Sequence, residues 1–86
     1  MNWDILRLIA EKCNEGEQDV AVTLVKQQGG NISPHDACLI ASAIDIRYLK
    51  DIVDILPDVG GVNDFRAKAR IAMAKELKGE DYGNQI

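Results

Sequence analysis

Residues 33–56 restrict the fold of this chain more than any other segment. They open with Ser33 and Pro34, residue types suited to the cap and the first position of a helix, and an acid three positions after Ser33 completes a capping box. Within residues 37–44 only Ser42 is polar. A helix over such an apolar run must be covered on most of its sides, so the segment predicts the central helix of a small helical domain.

Residues 33–56 also carry two apolar stripes at helical spacing, and a single straight helix would leave one of them uncovered. We therefore predict two helices, over residues 34–44 and 46–56, with Asp45 as the cap of the second. One continuous helix is the alternative. Pro57 limits the second helix, because the residue before a proline is pushed out of helical geometry.

Three further helices are predicted from apolar residues at helical spacing. The first two span residues 3–13 and 17–28, and the glycine pair after the second can end it in the left-handed conformation. A strand is the alternative for the second, because VAVTLV is strongly β-prone. The last helix runs from a cap at Asn63 or Asp64 to about Lys78. Its predicted buried face consists of Phe65, Ala69, Ala72, Met73 and Leu77.

Length and composition set the fold class. Eighty-six residues suffice for one hydrophobic core and not for two. With one Trp, two Tyr and one Phe, the core must rest on Ile, Leu, Val and Ala, which favours helix packing over a sheet. We predict an all-α fold, a compact bundle of about five short helices or a stack of helical hairpins, with a C-terminal basic helix. Residues 1–78 form its single domain, and residues 79–86, which open with the Gly79 that ends the last helix, form a flexible tail.

A weak internal repeat motivates the stacked-hairpin alternative. The pattern V-x-L-V-x3-G-G at residues 22–30 recurs as V-x-I-L-x3-G-G at residues 53–61, an offset of 31 residues. Each stretch resembles the second helix and turn of an ankyrin repeat. The chain departs from that family because Ser33-Pro34 lies 27 residues before Gly60 and no Leu-His-x-Ala follows the proline. No family is assigned on these residues.

The chain offers little recognisable chemistry. Cys13 and Cys38 are its only cysteines and belong to no CxxC pair, so we predict two buried thiols, with a disulfide between them as the alternative. His35 is the sole histidine, and its spacing from Cys38 allows a nucleophile–base pair, but a surface histidine near a helix start is the simpler interpretation. Neither glycine pair has the pattern of a phosphate-binding loop. We therefore predict no enzyme, no cofactor and no metal site.

The cellular location follows from two features of the sequence. No apolar run approaches the length of a membrane span. The N-terminal stretch MNWDILRLIAEK carries acids where a signal peptide has basic residues. A cytoplasmic protein is expected.

The formal net charge of −4 is unevenly distributed, because residues 1–65 carry −6 and residues 66–78 carry +4. An acidic body thus bears one basic helix, and each part is a candidate partner-binding surface. The acidic face comprises Asp45, Asp51, Asp54 and Asp58, which would address a basic surface and compete with nucleic acid for it. The basic face comprises Lys68, Lys75 and Lys78.

A binding function follows by elimination. We expect a non-catalytic protein–protein interaction module, an adaptor or inhibitor. Small size, acidic charge and a lack of recognisable chemistry resemble accessory regulators, including those carried by phages and other mobile elements. Excess apolar surface on residues 33–56 makes a homo-oligomer a further expectation.

A nucleic-acid-binding regulator is the alternative function. Residues 36–53 have the outline of a helix-turn-helix, an Ala-rich helix, a short turn and a second helix that carries basic residues. The candidate phosphate and base contacts are Arg47, Lys50, Arg66 and Arg70. Three aspartates share that second helix, and the body of net charge −6 would repel a phosphate backbone, so protein binding is favoured.

Overall fold

The computed structural model describes residues 3–83, with the side chains of residues 3–80. Five α-helices lie in this part of the chain: α1 (Trp3–Asn14), α2 (Gln18–Gln28), α3 (Pro34–Ala43), α4 (Ile46–Leu49) and α5 (Phe65–Gly83). Two 3₁₀ turns, Gly29–Asn31 and Val53–Ile55, connect them, and the described residues contain no strand. The predicted all-α fold is confirmed, and the strand considered for the second segment is wrong.

The start of α3 is the local feature that the sequence predicted most completely. The N–H of Asp36 donates to Ser33 Oγ over 3.1 Å, and the N–H of Ser33 donates in return to Asp36 Oδ2 over 3.2 Å. Pro34 occupies the first helical position, where its missing N–H costs nothing. The predicted capping box is confirmed.

Glycine ends the first helix in a Schellman motif. The N–H of Glu17 donates to the carbonyl of Lys12 over 2.9 Å. Within the loop that this hydrogen bond closes, the N–H of Gly16 donates to the carbonyl of Cys13 over 3.1 Å. Gly16 has φ +84°, a conformation that side chains disfavour. The motif lets the chain reverse within a few residues, so that α2 packs back along α1.

The chain breaks between α3 and α4 where the sequence predicted. Asp45 caps α4, because its carboxylate accepts from the N–H of Arg47 over 3.1 Å. That hydrogen bond, together with the guanidinium of Arg47, lowers the pKa of the Asp45 carboxyl below its usual range. The interpretation of residues 33–56 as two helical segments is confirmed, and one continuous helix is wrong.

The second of those segments is shorter than predicted. The expected helix over residues 46–56 consists of one α-helical turn, Ile46–Leu49, and the 3₁₀ turn Val53–Ile55. The α-helical turn contacts α1 and α5, whereas the 3₁₀ turn contacts α2 and α5. One straight helix would not reach both sets of neighbours, and β-branched residues at 52, 53 and 55 give the helix little intrinsic advantage.

The hydrophobic core is built from aliphatic side chains, as the composition predicted. Its largest fully buried members are Ile9, Ile40, Ile44, Leu49, Ile52 and Cys13. Among the described side chains, no polar or charged residue is buried. The second helical hairpin that would make a stacked repeat is missing, because residues 46–56 form two short turns.

The face that α5 presents to the core is opposite to the predicted one. Ala67, Ile71 and Ala74 are buried, while Phe65 is 81% exposed and Met73 is 53% exposed. The small side chains at 67 and 74 let α5 approach α3 closely. Of the other predicted members, Ala69 and Ala72 are exposed and Leu77 is half-buried.

The last helix is also longer than predicted. It continues through Gly79 and ends at Gly83, so the expected helix end at Gly79 is wrong. Residues 84–86 lie outside the described residues. The flexible tail over residues 79–86 and the domain boundary at residue 78 stay predictions.

Both cysteines are buried free thiols, as the sequence predicted. The Cys13 thiol donates to the carbonyl of Tyr48 over 3.6 Å. Burial raises the pKa of the Cys13 thiol to about 11, and the nearby charge of Asp51 adds to this effect. Burial likewise raises the pKa of the Cys38 thiol.

We predict that iodoacetamide at pH 8 alkylates Cys13 in the folded protein roughly 90-fold more slowly than in urea. The thiolate is the reactive form, and its population at this pH falls by that factor when the pKa rises from 9.0 to about 11. Folding holds the thiol neutral, so the stability it contributes is complete below about pH 9 and is lost as the pH rises toward 11. Peptide mass spectrometry measures both labelling rates, and equal rates would contradict the buried position.

Candidate functional site

The four aspartates of the predicted acidic face lie between the start of α4 and the start of α5, and all four are exposed. Asp45 is occupied as a helix cap. Asp54 forms an ion pair with Lys78. Asp58 accepts from the N–H of Gly60 over 2.9 Å and shapes the turn there. Part of this group therefore serves the structure of the chain itself.

The predicted basic face lies next to the acidic one. Lys78 pairs with Asp54, and Lys68 Nζ donates to the carbonyl of Gly60 over 3.1 Å. Lys75 lines a hollow of about 350 Å³ together with Asp54 and Asp58. The lysines of α5 thus neutralise the acidic segment on which the helix packs, and the two predicted surfaces meet along one edge.

The residues proposed for nucleic-acid contact have different surroundings. Arg47 pairs with Asp45 over 3.1 Å, and its guanidinium lies 5.0 Å from the ring centre of Tyr48. Arg66 is exposed and Lys50 is half-buried. Arg70 is directed into the protein. The helix that would enter a DNA groove is the single turn α4, so the predicted helix-turn-helix has no second helix of useful length.

Arg70 joins α5 to the end of α3. Its Nε donates to the carbonyl of Ala41 over 2.9 Å, and its Nη2 donates to the carbonyl of Ile44. The last carbonyls of a helix lack partners within the helix and form the negative end of its dipole. A half-buried guanidinium at this place satisfies two carbonyls and holds α3 against α5.

The most distinctive concave surface is a groove of about 250 Å³ between α1 and α3, which we call the α1–α3 groove. Its apolar walls include Trp3, which is 56% exposed, and Leu39, which is 45% exposed. Arg7 and Glu11, one helical turn apart on α1, also line it. The remaining lining residues are Leu6, Ala10, Asn14, Ile40 and Ala43. The small residues at 10 and 43 leave the space between the two helices unfilled.

One end of the α1–α3 groove is held by Asn14, the last residue of α1. Its Nδ2 donates to the carbonyl of Ala43 over 3.0 Å, and its Oδ1 accepts from the N–H of Asp45 over 2.8 Å. A single side chain therefore bridges α1 to the end of α3 and to the cap of α4. This bridge and the Arg70 contacts fix the position of α3 relative to α1 and α5.

Sequence reasoning missed this groove. The face of α1 that lines it alternates between apolar and polar side chains, and no hydropathy stripe marks it. Leu39 lies in the apolar run over residues 37–44, whose helix was expected to be covered on most of its sides. A usable signal was Trp3, the single tryptophan of the chain, which lies four residues before Arg7 on one helix face.

The described part of the chain offers few other features for a site. Within residues 3–80, no three His, Cys, Asp or Glu side chains are grouped so that they could hold a metal ion. None of the helices described has both the length and the apolar character needed to cross a membrane.

Fold and groove together define a small all-α domain with an apolar groove between two of its helices. No protein-family model, curated protein or solved structure matches the chain. The groove must therefore be interpreted from its own geometry.

Proposed function

We propose that this chain is a non-catalytic protein-binding module, an adaptor or inhibitor, which receives apolar side chains of its partner in the α1–α3 groove. One observation carries the proposal. Trp3 and Leu39, from different helices, both line this groove, and each is about half exposed to solvent. Single exposed apolar residues are ordinary on a protein surface, but two that wall one concavity mark an interaction site.

The size and chemistry of the groove favour a protein partner over a small molecule. Small-molecule sites measure about 300 to 1,000 Å³ and contain a few precisely placed polar groups. This groove measures about 250 Å³ and its polar side chains belong to exposed residues, Arg7, Glu11 and Asn14. It has room for one large anchor side chain, and such anchors carry most of the energy in protein interfaces.

The partner that fits best is an amphipathic helix. Such a helix lays its apolar face along a groove between helices, and one large residue of that face would be the anchor that this groove can hold. Arg7 and Glu11 are also one turn apart and opposite in charge, so they favour one direction of the partner. Beyond Asn14 the groove ends beside Asp45, a member of the predicted acidic face. A basic residue of the partner would be placed there.

The decisive comparison uses two matched variants. Leu39→Glu places a charge in the groove, and Val20→Glu places the same charge on α2 at a residue of similar exposure, 43% against 45% for Leu39. We expect wild-type protein and Val20→Glu to capture the same stoichiometric protein partner from nuclease-treated native lysate, and Leu39→Glu to lose it. A charge in an apolar anchor site costs at least tenfold in affinity.

The captured partner is then tested directly against Trp3. Because Trp3 is the only tryptophan of the chain and lines the groove, a tryptophan-free peptide from the partner should shift its fluorescence to shorter wavelength. The groove would not be the binding site if Leu39→Glu captured the partner as well as wild-type protein does, or if the peptide bound without shifting the fluorescence of Trp3. Retention of nucleic acid alone, lost as salt rises, would favour the regulator alternative instead.

A further inference from the structure

A second concave surface lies between α5 and the segment that precedes it. It measures about 350 Å³, and we call it the α5 hollow. Most of its lining residues are apolar, and the buried side chains of Val53, Val59 and Ile71 form its floor. The lining of the α1–α3 groove belongs to α1 and α3 alone, so the two concave surfaces are separate.

Three lysines of α5 lie along the segment of residues 54–60, and two of them bind it to the helix. Lys68 Nζ donates to the carbonyl of Gly60 over 3.1 Å, and Lys78 forms an ion pair with Asp54. Lys75 lies between them in the sequence and lines the α5 hollow. Within the part of the chain that the structure describes, Lys75 forms neither an ion pair nor a hydrogen bond.

The two carboxylates of the α5 hollow lie on the wall opposite Lys75. Asp54 belongs to the 3₁₀ turn Val53–Ile55, and Asp58 follows that turn, whereas Lys75 belongs to α5. Asp58 Oδ1 accepts from the N–H of Gly60, which leaves Oδ2 as an acceptor. Neither carboxylate forms an ion pair with Lys75 among the described residues, so opposite charges face each other across open space.

The balance of these charges indicates the class of ligand. Asp54 is already paired with Lys78, so one negative charge on Asp58 and one positive charge on Lys75 remain. A simple anion would be attracted by Lys75 and repelled by Asp58, and a simple cation would meet the reverse. A ligand with both charges suits both walls, and an apolar side chain on that ligand suits the floor. The volume lies within the range of small-molecule sites, about 300 to 1,000 Å³.

We propose that the α5 hollow binds a zwitterionic small molecule with an aliphatic side chain, an α-amino acid such as leucine. Its carboxylate binds the ammonium of Lys75, its ammonium binds the carboxylate of Asp58, and its side chain covers Ile71. Exposed ion pairs contribute little on their own, so the charges orient the ligand while the floor holds it. Binding here is independent of whether the α1–α3 groove binds protein.

Nuclear magnetic resonance of the ¹⁵N-labelled full chain tests the proposal with L-leucine as the probe. A ligand of this size in an open hollow should bind with a dissociation constant of about 1 mM. The amide signals of residues 53–59 and 71–75 should shift and saturate. Unchanged signals up to about 20 mM leucine, or shifts confined to other residues, would overturn the proposal.

Three analogues of leucine test which of its groups the hollow recognises. N-acetyl-leucine lacks the ammonium, leucinamide lacks the carboxylate, and glycine lacks the side chain. Each should bind at least about tenfold more weakly than leucine. If N-acetyl-leucine or leucinamide bound as tightly as leucine, the hollow would recognise a single charge, and an amino acid would not be its ligand.

Two variants test the walls of the α5 hollow. Lys75→Met removes the ammonium, and Asp58→Asn removes the negative charge but keeps an oxygen that can accept from the N–H of Gly60. Both should weaken leucine binding at least about tenfold. Lys26→Met makes the same change as Lys75→Met at an exposed position on α2 and should bind as wild type does. Wild-type affinity in Lys75→Met would overturn the proposal.

Discussion

Replacing Ile71 by alanine is expected to lower the free energy of unfolding by about 2 to 3 kcal/mol, while Phe65→Ala changes it by less than about 0.5 kcal/mol. Ile71 projects from α5 into the core and is only 8% exposed, so its truncation removes buried area and leaves a cavity. Phe65 is larger but 81% exposed, so truncation removes little buried area. The smaller side chain, Ile71, is therefore expected to contribute more to stability than the larger one, Phe65, because it is the buried one of the two.

Urea unfolding of the two variants checks this expectation. An unchanged slope with a lower midpoint for Ile71→Ala would report a loss of stability rather than a change in compactness. A larger loss for Phe65→Ala than for Ile71→Ala would mean that α5 is rotated as the sequence first predicted.

Removal of Arg70 is the second large effect that we expect. Arg70→Ala should cost about 2 kcal/mol, because hydrogen bonds to charged groups contribute about 1.5 to 3 kcal/mol and the carbonyls of Ala41 and Ile44 lose a half-buried donor. Arg66→Ala, on the same helix but exposed, should cost less than about 0.5 kcal/mol. Thermal unfolding of dilute samples compares the two.

Arg70→Lys separates charge from geometry at the same place. A lysine keeps the positive charge at the end of α3, but it lacks the planar fork that reaches two carbonyls. We expect it to recover less than half of the stability lost in Arg70→Ala. Full recovery would assign the effect to the helix dipole alone.

The contacts of Arg70 and Asn14 bear on the proposed function because they hold α3, one wall of the α1–α3 groove, in place. Arg70 ties α3 to α5, and Asn14 ties α3 to α1. Leu39 projects from the helix held between them. A groove fixed in this way loses little conformational entropy when a partner binds, and this pre-organisation improves affinity.

Local features of the fold were predictable because neighbouring residues determine them. The capping box of Ser33 and the cap at Asp45 each depend on hydrogen bonds that span a few residues. The aliphatic composition likewise implied helix packing. The all-α class, the main helices and the break near residue 45 were therefore determined by the sequence alone.

The tertiary structure decided which surfaces meet. In α5, alanines and larger apolar residues occur on two opposite faces, so hydropathy does not distinguish the buried face at Ala67 and Ala74 from the exposed one at Ala69 and Ala72. The choice depends on the shape of α3, against which α5 packs. The α1–α3 groove has the same origin, because it is the space left where small residues of two distant segments face each other. Such complementarity is a property of pairs of surfaces, and it exists only once the helices have packed.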